Sequence, residues 1–147
     1  RQIAEVEEAA LTLLRTSPER VRALDILRSI PGLGRVTAMA ILVECPEIGT
    51  MTRKQIASLA GLAPMTQQSG QWRGKAFIQG GRKFLRDTLY MPALVAARFN
   101  PDLQQKYHAM TQAGKPAKVA LTALMRKLIE LANALIKQNR KWTPKIA

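Results

Sequence analysis

Ile30-Pro31-Gly32-Leu33-Gly34-Arg35 lies between two segments of helical apolar period, and its reading decides the fold. Upstream, Val21, Leu24, Leu27 and Ile30 recur at helical spacing; downstream, Val36 to Val43 is largely apolar. Glycine tolerates positive φ, so two glycines separated by one apolar residue let the chain reverse between helices. The pattern predicts helix, tight hairpin, helix. The second helix then begins with amides that lack intrahelical partners. That geometry suits a phosphate, and Arg35 stands beside it. Such a contact holds a nucleic-acid backbone without reading its bases. Gly32, Gly34 and Arg35 are therefore candidate backbone-binding residues.

Working outward, the remaining punctuation is also helical. Residues 2–15 carry an apolar stripe of Ile3, Val6, Ala10 and Leu14 that opens abruptly, as if cut from a longer helix. Ser17-Pro18 is a cap followed by proline at the first helical position. Pro46 and Gly49 end the helix after the hairpin, and Thr52 with Gln55 forms a capping box opening a helix to Ala60. Leu59-Ala60-Gly61-Leu62-Ala63-Pro64 echoes the hairpin, and reads either as a helix C-cap or as a second backbone-contacting turn. Pro64, Gly70, Gly74 and Gly80 interrupt the pattern, predicting an irregular or short β-hairpin insert around residues 64–80. Residues 82–98 return to helix, with Pro92 kinking or breaking it. Asn100-Pro101 starts another helix, which Gly114 ends. Residues 117–138 form the longest amphipathic stretch, along Val119, Leu124, Leu128, Leu131 and Leu135. The tail from Asn139 is basic and reads as frayed. The expected class is all-α, mainly helical, with a helix-hairpin-helix motif.

Charge names the kind of partner. The 147 residues carry a net charge of +13, with a pI near 10.8. So basic a chain fits a polyanion, either a nucleic acid or a ribosomal surface. Residues 1–30 are net neutral and residues 31–68 net +1, whereas residues 69–98 are net +5 and residues 99–147 net +7. The electrostatic footprint therefore lies in the second half. Hydrophobic residues make up 47% and aromatics 5%, so the core must be built from Leu, Ile, Ala, Val and Met. No apolar run approaches membrane-spanning length. The lone Cys45 sits on an apolar helix and reads as a buried thiol, and His108 reads as a surface or packing residue. No metal-ligand cluster is evident.

Few residues can carry chemistry. Past residue 48 the only carboxylates are Asp87, Asp102 and Glu130, on separate predicted elements. Glu44 and Glu47 sit at a helix end, near no obvious basic site. A two-metal nuclease centre within this stretch is thereby disfavoured. Ser69 lies in a glycine-punctuated loop with Gly70, Arg73 and Lys75, and the next helix supplies Arg82 and Arg86. A serine can attack a phosphodiester where cations stabilise the charge developing on phosphorus. The bland reading is a solvated loop serine. Tyr90, four residues after Arg86, is a second candidate nucleophile and otherwise a packing aromatic. Trp72 is placed either to stack on a base or to anchor the loop.

The ordered series of these motifs resembles the C-terminal domain of the IS110/IS116/IS902 transposases. The resemblance is carried by Leu27-Arg28-Ser29-Ile30-Pro31-Gly32-Leu33-Gly34 through Leu42, and by Ala57-Ser58-Leu59-Ala60-Gly61-Leu62-Ala63-Pro64. Ser69-Gly70, Gly74-Lys75, Gly80-Gly81-Arg82 and Leu85-Arg86-Asp87-Thr88-Leu89 continue it. Gly114-Lys115-Pro116-Ala117-Lys118-Val119-Ala120 and Arg126-Lys127-Leu128 close it, so that it runs from about residue 22 to residue 138.

The resemblance implies a bacterial, cytoplasmic, nucleoid-associated DNA recombinase of insertion sequences. It implies that Ser69, the serine of the SG motif, attacks a scissile phosphate and forms a phosphoserine link. DNA is the implied partner, contacted by Gly32, Gly34, Arg35, Gly70, Arg73, Lys75, Arg82, Arg86, Lys115 and Lys118. In such proteins an N-terminal RuvC-like domain with an acidic set holds a divalent metal, Mg; no cofactor is expected within this stretch. A structured noncoding guide RNA serves some members, and recombination requires an oligomer of the intact protein. The RuvC-like domain is absent from this sequence, so the isolated stretch is expected to bind nucleic acid without recombining it. Residues 1–16 then read as the end of a linking or coiled-coil helix, 17–138 as the transposase domain and 139–147 as a basic tail. The alternative is a non-catalytic helix-hairpin-helix binding module.

Overall fold

Local chemistry sets the helix boundaries. The computed structural model describes residues 3–63 and 82–144. They form helices α1 (Ile3–Thr16), α2 (Pro18–Arg28), α3 (Arg35–Glu44), α4 (Arg53–Leu59), α5 (Lys83–Thr88), α6 (Tyr90–Phe99), α7 (Pro101–Gln112) and α8 (Ala117–Gln138). The described residues contain no strand, as the all-α expectation required. The insert expected around residues 64–80 lies outside them.

Side-chain oxygens accept from the first free amides. The Ser17 hydroxyl accepts from the Arg20 amide at 3.4 Å, and Asn100 Oδ1 accepts from the Asp102 and Leu103 amides at 3.1 and 3.2 Å. Thr52 and Gln55 form the anticipated reciprocal box, at 2.9 and 3.2 Å. α4 and α7 stop alike. After α4, the Leu62 amide reaches back to Ala57 O at 2.8 Å across Gly61, whose φ is +73°. After α7, the Lys115 amide reaches Met110 O at 3.0 Å across Gly114, whose φ is +94°. Of the two readings of residues 59–64, the structure thus shows the helix C-cap. Pro92 acts upstream of itself. It offers no N–H to the Thr88 carbonyl and its ring crowds that oxygen, so α5 ends at Thr88 and α6 begins at Tyr90.

α8 packs against α2, α4, α6 and α7, while α3 packs against α1, α2 and α5. Ile26, Leu27, Ile41, Ile56, Leu85, Leu89, Leu124 and Leu128 fill the space between them and are fully buried. The aliphatic core anticipated from composition is present. Val119, expected on the buried stripe, is 46% exposed, because the first turn of α8 faces solvent.

Two buried asparagines stitch the packing. Asn133 on α8 accepts from the Gly49 amide at 2.7 Å and donates to Met51 O at 2.8 Å, tying the α3–α4 connection to α8. Asn100 does the same for the hairpin. The long helix ends at Gln138, and residues 140–144 are irregular. Asn139 takes the left-handed conformation (φ 53°) and turns the chain back. The Trp142 amide then donates to Ser29 Oγ at 2.9 Å, and its ring packs on the core.

Asn133→Leu should lower unfolding stability by about 1–3 kcal/mol, since it strands the Gly49 amide; urea denaturation measures this. Cys45 is buried as read, and burial foremost pushes its thiol up to about 12. It should resist iodoacetamide at pH 8 in the native state and react on unfolding. Rapid native labelling would contradict this packing.

Candidate nucleic-acid interface

The sequence between α2 and α3 folds as a tight turn. The Leu33 amide bonds to Ile30 O at 3.0 Å, and Gly32 takes φ +109°. Gly32 is doubly constrained. A Cβ there would lie 3.0 Å from Ala96 Cβ and 3.1 Å from Pro92 O, so the turn is seated on α6. Asn100 Nδ2, at the α6–α7 junction, donates to Pro31 O at 3.2 Å and secures it.

Gly34 behaves differently. Its φ of −82° and ψ of 178° are extended backbone that any residue adopts, and no side chain caps α3 there. A Cβ at Gly34 would meet nothing within 4 Å. Gly34, Arg35 and Val36 are exposed. The two glycines therefore divide the work: Gly32 sets the turn, and Gly34 leaves the amino end of α3 open to approach.

Arg82 corrects the view that Glu44 and Glu47 lie near no basic site. Its guanidinium forks onto Glu47, Nη1 to Oε1 at 2.9 Å and Nη2 to Oε2 at 2.8 Å. Nη1 also donates to Glu44 O at 2.8 Å. Its amide donates to Leu59 O at 2.7 Å, joining the start of the second described segment to the end of α4. Arg82 is thus a bracket between α3, α4 and α5. The Glu47 carboxyl falls from 4.5 to about 2, chiefly through the hydrogen bond from Arg82. The same bond raises the Arg82 pKa.

Other predicted residues sit where a polyanion can reach them. Lys115 and Lys118 are exposed at the α7–α8 turn, and Arg86 is half-buried on α5. Tyr90 is 48% exposed. His108 lies on the surface beside Tyr107, with ring centroids 6.1 Å apart. Ser69, Gly70, Trp72, Arg73 and Lys75 lie outside the described residues. Among the described residues, no group of three or more His, Cys, Asp or Glu side chains can hold a metal ion. No helix there is long and apolar enough to cross a membrane. Sequence reasoning missed the roles of Glu47 and Asn100. Asn100-Pro101 announced a cap, but nothing local announced its bond to Pro31.

The described residues form a helical domain with an exposed amino end of α3 and a basic second half. A profile of the transposase IS116/IS110/IS902 family matches residues 24–108. The chain is 35% identical over 149 aligned positions to the pilin gene-inverting protein of Moraxella bovis, covering 98% of this chain and 46% of that protein. It is 32% identical to the insertion element IS110 43.6 kDa protein of Streptomyces coelicolor, over 76% of this chain and 28% of that protein. The chain belongs to the IS116/IS110/IS902 transposase family. It spans less than half the length of these relatives.

Gly32→Ala should destabilise the fold by about 1–2 kcal/mol from its positive φ alone, while Gly34→Ala should stay within about 0.5 kcal/mol; paired thermal melts decide. The Glu47 carboxylate is depressed in the fold, so its stabilising effect is complete above pH 4.5 and fades as pH falls through about 2. The stability gap between wild type and Glu47→Gln should close across that window. A gap independent of pH would contradict the assignment.

Proposed function

We propose that this chain is the serine-bearing, DNA-binding part of an insertion-sequence recombinase. The observation that carries the reading is the family match across residues 24–108, which spans the Ser69-Gly70 motif. A gene-inverting relative aligned over 98% of the chain points to the same chemistry. In this reading Ser69 Oγ bonds to phosphorus, the P–O3′ bond breaks, and the serine proton ends on the departing 3′ oxygen. A phosphoserine link and a free 3′ hydroxyl result; strand exchange and religation reverse the step. Arg73, Lys75 and Arg86 neutralise phosphate charge. Arg82, occupied by Glu47, contributes by bracing the backbone next to the serine-bearing stretch rather than by meeting phosphate.

The helix-hairpin-helix supplies sequence-independent grip. The amides at the start of α3, opened by Gly34 and flanked by Arg35, receive a backbone phosphate, with Lys115 and Lys118 adding charge. A divalent metal, Mg, does not fit the described residues, which lack a ligand cluster. It belongs to a RuvC-like domain elsewhere in the full-length protein, where it assists the nucleophile. The intact protein works as an oligomer on DNA in the bacterial nucleoid, and a structured guide RNA is a further partner in this reading. A second reading, a binding module without chemistry, draws on the open amino end of α3 alone.

Ser69→Ala in the full-length protein should abolish recombination and leave DNA affinity within about twofold. Unimpaired recombination would refute the serine mechanism and favour the binding module. Gly34→Val should weaken binding to unrelated DNA sequences alike, because phosphate contacts carry little sequence information. Loss confined to one sequence would contradict the hairpin's role.

A further inference from the structure

The chain reversal at Asn139 builds a cleft that the recombination chemistry does not use. Arg140, Trp142 and Thr143 line, with α7 and α8, a half-open cleft of about 560 Å³. Its wall is apolar: Leu131 and Leu135 of α8, with the half-buried Trp142. Lys106 of α7, Lys127 of α8 and Arg140 of the tail also line it, together with Asp102. The backbone N–H of Trp142 donates to Ser29 Oγ at 2.9 Å. Arg140 Nε is oriented by Gln138 Oε1 at 2.7 Å.

A lining of one indole, aliphatic side chains, three cations and one carboxylate suits one chemical unit, a planar ring joined to a phosphate. The volume falls within the range of small-molecule sites, roughly 300–1,000 Å³. A paired duplex cannot enter, because its bases are stacked inward. We propose that this cleft receives a single unpaired nucleotide of a nucleic-acid strand, its base against Trp142 and its phosphate at Lys106 and Arg140. The inference rests on the nucleic-acid reading above and adds to it a preference for unpaired strand at a site remote from Ser69 in sequence. DNA and RNA strands offer the same chemistry, and the test separates them.

The full-length protein is titrated, at fixed salt, with labelled single-stranded DNA, single-stranded RNA of the same sequence and blunt duplex DNA. Trp142→Leu should weaken strand binding about tenfold and leave duplex binding within about twofold. Trp142→Phe, which keeps an aromatic face and most of the packing, should retain most of the strand affinity. Lys106→Gln should reduce the salt dependence of strand binding by about one counterion. Strands carrying 5-iodouracil should photocrosslink to residue 142, and the strand type that does so identifies the source. Equal strand affinity in wild type and Trp142→Leu, with no crosslink at residues 140–143, overturns the cleft while leaving the hairpin reading intact. Equal losses for strand and duplex in both Trp142 variants also overturn it, assigning Trp142 to packing. Failure of the wild type to bind any nucleic acid overturns the underlying reading as well.

Discussion

A side chain at residue 32 would crowd α6, and the arrangement of the turn follows from that contact. A Cβ on Gly32 would stand 3.0 Å from Ala96 Cβ and 3.1 Å from Pro92 O. Asn100 completes the seat by spending its amide N–H on Pro31 O and its Oδ1 on the first turn of α7. One buried residue thus fixes the hairpin and starts a helix. Since Gly32 faces inward, Gly34 and Arg35 face outward. The open amino end of α3 is therefore held by the core, not by any ligand it receives. A rigid scaffold that presents free amides loses little entropy on binding.

The cations of this chain divide by environment. Arg82 is turned inward to a carboxylate and a backbone carbonyl, where it braces α3, α4 and α5. Lys115 and Lys118 stand in solvent, suited to long-range attraction and screened by salt. The count of basic residues therefore overstates the number of cations left unpaired at the surface. The Arg82–Glu47 pair is partly exposed, so it is modest in energy and chiefly specifies geometry.

Much of the fold was legible because its determinants are local. Ser17, Thr52 and Asn100 cap the helices they precede, and Gly61 and Gly114 stop those they follow, since each satisfies amides or carbonyls within one turn of itself. The break near Pro92 was foreseen in kind and fell at Leu89, because a proline disturbs the carbonyl four residues back. The basic tail is mostly exposed, but composition did not announce that the Trp142 amide donates to Ser29, a residue far away in the chain.

The sequence by itself determined the helical class, the caps, the net positive charge and the family, all of which reside in short-range spacing, in composition or in the ordered series of motifs. Only the tertiary structure decided which glycine is structural and which leaves space, which arginine is occupied, and that the tail lines a cleft. Those outcomes depend on contacts between residues tens of positions apart: Gly32 with Ala96, Arg82 with Glu47, Trp142 with Ser29. Local propensity carries no signal for such pairs, because the partner is chosen by how the helices pack.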